Sequence, residues 1–127
     1  MLAVVVNEIS NLSSIEVGEI DPPQPNSNQV LIESLAAAIY FPDLLQIHGK
    51  YQIVPATPFI PGKEAAGVVV AVGADVEHIQ PGDRVLVEVE YGAFAEQVTA
   101  DAQRTFLLPD EMEMSTAVAM GLVYQTA

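Results

Sequence analysis

Histidine and cysteine, two residue types that often serve as catalytic groups or metal ligands, are scarce in this chain. His48 and His78 are the only histidines, and the sequence contains no cysteine. Disulfides, thiolate metal sites and a cysteine nucleophile are therefore excluded. No Ser-His-Asp arrangement is suggested by the spacing, and His48 is best interpreted as a helix-end cation or a surface residue. His78 lies beside Asp75 and Glu77, where a weak cation site is the less favoured alternative to a plain polar loop.

The glycines do not form a phosphate-binding loop. The segment Gly62–Gly67 has the wrong spacing for such a loop, and no Gly-x-Gly-x-x-Gly motif follows a predicted strand. The sequence therefore carries no dinucleotide-binding fingerprint of its own.

The charge balance excludes several classes of partner. Seventeen acidic residues against four basic ones give a formal net charge of −13. This field repels nucleic acid and anionic membranes, because phosphate binding requires clustered lysine or arginine. We interpret the acidity as a solvated surface in preference to an acidic partner-binding face.

No segment is predicted to enter a membrane. No run approaches the roughly 20 apolar residues needed to span a bilayer, and Met1–Glu8 lacks the basic flank and cleavage site of a signal peptide. We therefore predict a cytoplasmic protein. Its 127 residues suit one domain with a real core. Because half of them are hydrophobic, either that core is large or a partner covers part of the apolar surface.

The elements that must position any site are organised around residues 58–89. The run Val68–Val72 is β-branched and too short for a typical helix, and Gly67 and Gly73 bound it, so it predicts a buried strand. Pro81-Gly82-Asp83 then predicts a tight turn. The following strand has two predicted faces, a buried one with Val85, Val87 and Val89 and a half-solvated one with Arg84, Glu88 and Glu90.

The rest of the chain predicts short strands and two brief helices. Pro42 stands where a first helical turn accepts proline and Gly49 where a helix stops, which predicts a two-turn helix from Phe41. Prolines cluster in two predicted extended loops, 21–28 and 51–61. Further strands are predicted at 1–6, 15–20, 30–39, 93–99 and 106–108.

The tail is predicted to be a helix that is apolar on every side. Asp110 and Glu113 have the spacing of a capping box, and Ser115 is an equally good N-cap. Apolar residues surround the axis, so the helix at 115–127 has to be covered, and a second chain or self-association is one candidate cover. Many short strands with two brief helices predict a mainly β, barrel-like domain.

Several short motifs also occur in a fixed order along the chain. They are Phe41-Pro42-Asp43, Gly49-Lys50-Tyr51, Pro58-Phe59-Ile60-Pro61-Gly62-x-Glu64-x-x-Gly67, Val72-Gly73, Gly82-Asp83-Arg84-Val85, Gly92-Ala93-Phe94-Ala95-Glu96 and Leu108-Pro109-Asp110. This series resembles the medium-chain dehydrogenase/reductase superfamily, and within it the zinc-free quinone oxidoreductase, or zeta-crystallin-like, branch. The resemblance runs from Met1 to Ala127. It implies the family's N-terminal GroES-like domain, a partly open β-barrel with short helices and a C-terminal apolar helix.

The resemblance implies a site without zinc. Zinc-dependent members place a cysteine where Tyr40 stands, a histidine where Lys63 stands and another cysteine near Leu122. Tyrosine, lysine and leucine cannot form the tetrahedral nitrogen and sulfur site of catalytic zinc. Zinc-free members transfer hydride from NADPH to a quinone or an activated enone, in a cleft between two domains.

Two catalytic residues follow from the resemblance. Tyr40 falls where zinc-free relatives usually carry an asparagine facing the nicotinamide, so this chain departs from the pattern there. Lys63 is implied as a cation for a developing enolate or quinol oxyanion, with a solvated surface charge as the alternative.

Other residues are implied to line the substrate and cofactor cleft. For Tyr51 and Thr126 the alternatives are loop packing and an ordinary helix position. Glu64 and Asp83-Arg84 are predicted to be structural, as a buried polar residue and turn partners. The implied cleft residues are Phe41, Asp43, Tyr51 and Thr126.

The relatives continue past the tail helix into a Rossmann domain that holds the dinucleotide. Residues 1–127 do not supply that half, so NADP is expected to bind only with a Rossmann domain from elsewhere, and this chain alone is predicted inactive. The predicted function is the substrate-side domain of a zinc-free NADPH-dependent quinone or enone oxidoreductase. The alternatives are a non-catalytic GroES-like binding or oligomerisation module and, less favoured, a truncated gene product without a selected function.

Overall fold

Residues 1–126 fold as seven strands and two α-helices. The structure is a computed structural model that describes residues 1–126, with side chains described as far as Met120. The mainly β prediction is confirmed. The elements are β1 (Leu2–Val6), β2 (Ile15–Glu19), β3 (Gln29–Ala37), α1 (Phe41–Ile47), β4 (Glu64–Val72), β5 (Arg84–Glu88), β6 (Gln97–Asp101), β7 (Thr105–Leu107) and α2 (Met114–Thr126).

Two antiparallel sheets form a partly open barrel. The larger sheet has the strand order β6-β3-β4-β5-β7, and β1 pairs with β2 in the smaller one. The bridges Ala3↔Ala95 and Val6↔Phe59 join β1 to the chain around the larger sheet. The fold therefore curves around one main core. Its fully buried side chains come from alternate positions of neighbouring strands and include Val30, Ile32, Val69, Val85, Val87 and Val98.

The central strand ends at Val72 as predicted, but its predicted start and burial were wrong. β4 begins at Glu64, four residues before the predicted start, and its buried part is Glu64–Gly67. In the predicted run, Val69 is buried, but Val70 is 41% exposed. Gly67 is not a boundary, because β3 crosses so closely that a Cβ there would lie 2.0 Å from the Glu33 carbonyl oxygen.

The second face of β5 is half-solvated at Arg84 and Glu88, as predicted, but its central residue Leu86 is buried. Leu86 packs against Ala117 and Val118 of α2. The guanidinium of Arg84 donates to the carbonyl oxygens of Pro109 and Asp110 at 2.8 Å each, and also to that of Met112. The tail of the chain thus packs against this face. The alternation of residues within β5 does not predict that contact.

The helical tail also differs from its prediction in detail. α2 begins at Met114 and its first hydrogen bond runs from the Ala117 amide to the Glu113 carbonyl, so neither Asp110 nor Ser115 is its N-cap. One face packs on the sheet, whereas Met120 is 46% exposed. The side chains beyond Met120, which include the rest of the predicted apolar surface, lie outside the described residues.

Two other strands are shorter than predicted. The strand expected at 93–99 is β6, which starts at Gln97, and the strand expected at 30–39 ends at Ala37. Before β6, the amides of Ala93 and Phe94 donate to the loop at Gly62 and Pro61. None of the helices in the described part of the chain has the length and apolar character that a membrane span requires.

Candidate functional site

A small cavity brings three of the predicted site residues together. Its volume is about 150 Å³, and it lies between the start of α1, β4 and β5. A cavity of this volume in another protein holds one benzene molecule, so the space suits a single small ring. Its wall consists of Tyr40, Pro42, Tyr51, Lys63, Glu64, Glu88, Val89, Glu90 and Arg104.

Lys63 is the central charged group of this cavity. Its ammonium lies 4.2 Å from the centroid of the Tyr51 ring and donates to the Glu90 carbonyl oxygen at 2.8 Å. The side chain is 11% exposed, so it is not a solvated surface charge. Burial lowers the pKa of Lys63, and the negative charges of Glu90 and Asp43 act against that shift. The arrangement places a poorly hydrated cation over an aromatic face.

Tyr40 occupies the wall beside Lys63, but its hydroxyl is engaged within the protein. The phenolic oxygen lies 2.5 Å from Glu64 Oε2 and 2.6 Å from the carbonyl oxygen of Val118 in α2. Glu64 is 1% exposed, which confirms its prediction as a buried polar residue. The phenol thus connects the cavity to the tail helix.

An ion-pair network that the sequence analysis missed completes the site. Arg104 Nη2 lies 3.7 Å from Glu88 Oε2, and Arg104 Nη1 lies 3.2 Å from Glu90 Oε1. Lys63 Nζ lies 3.9 Å from Glu90 Oε2. The two glutamates share one face of a strand end and Arg104 is 14 residues further along, so no local motif marks them as a unit.

Asp43 does not line the cavity but fixes the backbone of Tyr40, which does. Its Oδ2 accepts a 2.7 Å hydrogen bond from the Tyr40 amide, which caps α1 and fixes the backbone of Tyr40. The side chain is fully buried. Burial raises the pKa of Asp43, and the Tyr40 hydrogen bond and the charge of Lys63 oppose that shift.

The remaining predicted cleft residues lie apart from the enclosed space. Phe41 is 70% exposed at the start of α1 and does not line the cavity. The side chain of Thr126 is not among those that the structure describes. For both, the cleft role stays a prediction.

The structure permits a pH-resolved prediction for Asp43→Asn. Because the folded-state pKa of Asp43 is raised, its contribution to stability is fully present below the unfolded pKa and is lost as the pH rises through the folded pKa. Asparagine keeps an acceptor for the Tyr40 amide without the buried charge. We expect Asp43→Asn to be as stable as the wild type or more so, by up to about 2 kcal/mol, at neutral pH and to lose that advantage in acid.

Urea denaturation at neutral and acidic pH measures this difference directly. Asp75→Asn, a change of the same type in an exposed loop, is the control and should alter neither value. A clear destabilisation by Asp43→Asn at neutral pH would show that the ionised cap is needed.

Two larger cavities among the described residues lack the paired lysine, arginine and tyrosine side chains of this cavity. One of about 510 Å³ is lined mainly by apolar and proline side chains, among them Pro23, Pro55, Phe59 and Tyr91, and contains no basic residue. His78 lines a second, polar cavity with Asp75 and Glu77. Within residues 1–126, no group of three or more histidine, aspartate or glutamate side chains is placed to hold a metal ion. The 150 Å³ cavity is therefore the candidate active site.

The chain matches a known domain family and several relatives. Residues 26–110 match the family described as "Alcohol dehydrogenase GroES-like domain". The synaptic vesicle membrane protein VAT-1 homolog of Rattus norvegicus is 42% identical over 106 residues, which cover 84% of this chain and 26% of the relative. This chain therefore spans about a quarter of that curated relative's length.

Solved structures agree with the fold. The crystal structure of the human synaptic vesicle membrane protein VAT-1 homolog-like protein superimposes with a TM-score of 0.95 at 32% identity, covering 99% of this chain and 41% of that chain. The Escherichia coli quinone oxidoreductase complexed with NADPH gives a TM-score of 0.87 at 28% identity, covering 96% of this chain and 37% of the other.

Proposed function

Since this chain belongs to the alcohol dehydrogenase GroES-like domain family of the medium-chain dehydrogenase/reductase superfamily, we propose that it forms the substrate side of a zinc-free, NADPH-dependent oxidoreductase. The reaction is the reduction of a quinone or an activated enone by hydride transfer. The observation that carries this proposal is the largely buried Lys63 ammonium, 11% exposed, above the Tyr51 ring in a cavity of single-ring size.

The cavity suits the charge that this reaction develops. When hydride adds to a quinone or to the β-carbon of an enone, a π-electron pair moves onto the carbonyl oxygen. A preorganised cation in a poorly hydrated site stabilises such an oxyanion strongly. Lys63 is that cation, and the Tyr51 ring beneath it limits where a planar substrate lies. A nicotinamide cofactor supplies the hydride when it is bound.

The residues present fit a cofactor that is held largely elsewhere. A space of about 150 Å³ takes a reacting ring but not a dinucleotide. Two of the chain's four basic residues, Lys63 and Arg104, already pair with Glu88 and Glu90. In a chain of net charge −13, few cations remain for phosphates. A Rossmann domain outside residues 1–127 would therefore bind the phosphates, and the exposed Phe41 at the start of α1 would face it. The E. coli relative, of which this chain covers 37%, was solved with NADPH, which supports NADPH as the proposed cofactor.

Zinc does not fit the same positions. Tyr40 and Lys63 stand where zinc-dependent relatives carry ligands, and the Tyr40 hydroxyl is hydrogen-bonded to Glu64 and α2. A lysine ammonium is not a zinc ligand. The proposed reaction uses Lys63 where those relatives use a metal.

A second candidate is a non-catalytic module that uses the same face to bind another chain. Large apolar side chains in and just before α1 are exposed: Ile39 is 73% exposed, Phe41 70% and Leu44 45%. A covered face is expected under both proposals, so only a reaction separates them.

We expect purified residues 1–127 to oxidise no NADPH with a small quinone, and a separately expressed Rossmann domain to restore oxidation. The Rossmann domain of the E. coli quinone oxidoreductase is a suitable choice, and that domain alone is the control. Absorbance of NADPH measures the rate. Turnover by residues 1–127 alone would contradict the proposal that a separate Rossmann domain binds the cofactor. Self-association without any restored activity would favour the binding module.

A further inference from the structure

Three oxygen atoms at the base of the cavity share too few hydrogens if Glu64 is ionised. The Tyr40 hydroxyl lies within hydrogen-bonding distance of two acceptors, Glu64 Oε2 at 2.5 Å and the Val118 carbonyl oxygen at 2.6 Å. A phenol carries a single hydrogen and can donate to only one of them. A carbonyl oxygen carries none, so the Tyr40 hydrogen has to serve Val118. The short contact with Glu64 then needs a hydrogen from the carboxyl group itself.

Strand pairing gives a second, independent reason for a neutral Glu64. Glu64 of β4 pairs directly with Glu88 of β5, and like charges at directly opposed positions destabilise a sheet. Glu64 is 1% exposed, and the Glu88 side chain 13%. Glu88 forms an ion pair with Arg104 at 3.7 Å. Two ionised carboxylates at such a buried pair would repel each other strongly, and protonating one of them removes the repulsion.

We infer that Glu64 is held as a neutral carboxylic acid, which donates to Tyr40 while Tyr40 donates to Val118. This two-hydrogen chain connects β4, the N-cap of α1 and the tail helix α2. It also sets the charge of the cavity wall, since Lys63 and Arg104 then balance Glu88 and Glu90. The inference extends the proposed function but does not depend on it, because it concerns a protonation state that is measured without turnover.

The other titratable groups around Glu64 define the necessary controls. Tyr40 and Asp43 approach from the start of α1, and Glu88 approaches from β5. Lys63 lies immediately before β4, next to Glu64 in the chain. Asp43 is a buried carboxyl whose pKa is raised by burial. Any measurement has to separate Glu64 from Asp43.

Infrared difference spectroscopy of the whole chain at pH 7 tests the inference. The C=O stretch of a protonated carboxylic acid is distinct from carboxylate bands. We expect the wild type to show such a band, Glu64→Gln to lose the intensity of one group, and Asp43→Asn to keep that intensity. Tyr40→Phe should shift the Glu64 band, because its hydrogen-bond acceptor is removed. Equal intensity in the wild type and Glu64→Gln would overturn the inference.

A second measurement keeps the test decisive if Glu64→Gln does not fold. The side-chain carboxyl carbon of Glu64 in the wild-type chain has an NMR shift that differs between acid and carboxylate. We expect the acid value at pH 7 and a change only at more alkaline pH. A carboxylate value at pH 7 would overturn the inference, whether or not the proposed enzymatic function is correct.

Discussion

Gly67→Ala is expected to prevent residues 1–127 from folding, or to lower the free energy of unfolding by more than about 4 kcal/mol. A Cβ at Gly67 would lie 2.0 Å from the Glu33 carbonyl oxygen, 2.9 Å from the Glu33 carbonyl carbon and 3.0 Å from the Ser34 Cα. All three atoms belong to the backbone of β3, so no side chain can rotate away. Relief would require β3 and β4 to separate in the middle of the five-stranded sheet.

Circular dichroism and urea denaturation measure the effect. Gly18→Ala is the matched control, since it lies in β2 with nothing within 4 Å of the added Cβ. We expect that variant to stay within about 0.5 kcal/mol of the wild type. If Gly67→Ala were as stable as Gly18→Ala, the close crossing of β3 and β4 would be wrong.

Gly67 also shows what the sequence could and could not predict about the fold. Residue types report local geometry, so the strands at 1–6 and 15–20 and the helix from Phe41 were predictable. Gly49, with φ of +72°, ends that helix as expected. The sequence alone does not distinguish a glycine that allows a neighbouring strand to pack closely from a glycine that ends a strand. Only the pairing of β3 with β4 separates the two cases.

The candidate site was predictable in part for the same reason. Motif order placed Tyr40, Tyr51 and Lys63 at one cleft, and the structure brings these three into one cavity. Glu88 and Glu90 alternate with valines as a solvated face would, so their pattern gave no sign of a site. Their partner Arg104 reaches them only because β7 returns beside β5. Charge pairing across strands depends on topology, which local periodicity does not encode.

Lys63→Met is expected to lower kcat of the enzyme assembled with a Rossmann domain by about 10²- to 10³-fold, the usual cost of removing one oxyanion-stabilising group. Methionine keeps the apolar length of the side chain over Tyr51 and removes only the cation. Lys63→Arg, which keeps the charge, should lose less of the wild-type kcat.

The pH dependence of the wild-type activity should also reflect Lys63. Since burial lowers the pKa of Lys63, activity should fall on the alkaline side at a lower pH than for an ordinary lysine, as the ammonium loses its proton.

Lys50→Met is the matched control, because Lys50 is exposed and its loss changes the net charge by the same amount. A loss of kcat that appears equally in both variants would indicate a long-range charge effect and not a group at the reacting oxygen.

Binding of a small phenolate to residues 1–127, measured by calorimetry, tests whether Lys63 stabilises an oxyanion without any hydride transfer. That affinity should fall about tenfold or more in Lys63→Met and stay unchanged in Lys50→Met. If Lys63→Met lowered kcat but left the phenolate affinity unchanged, Lys63 would act on the cofactor side of the cleft and not on the substrate oxygen.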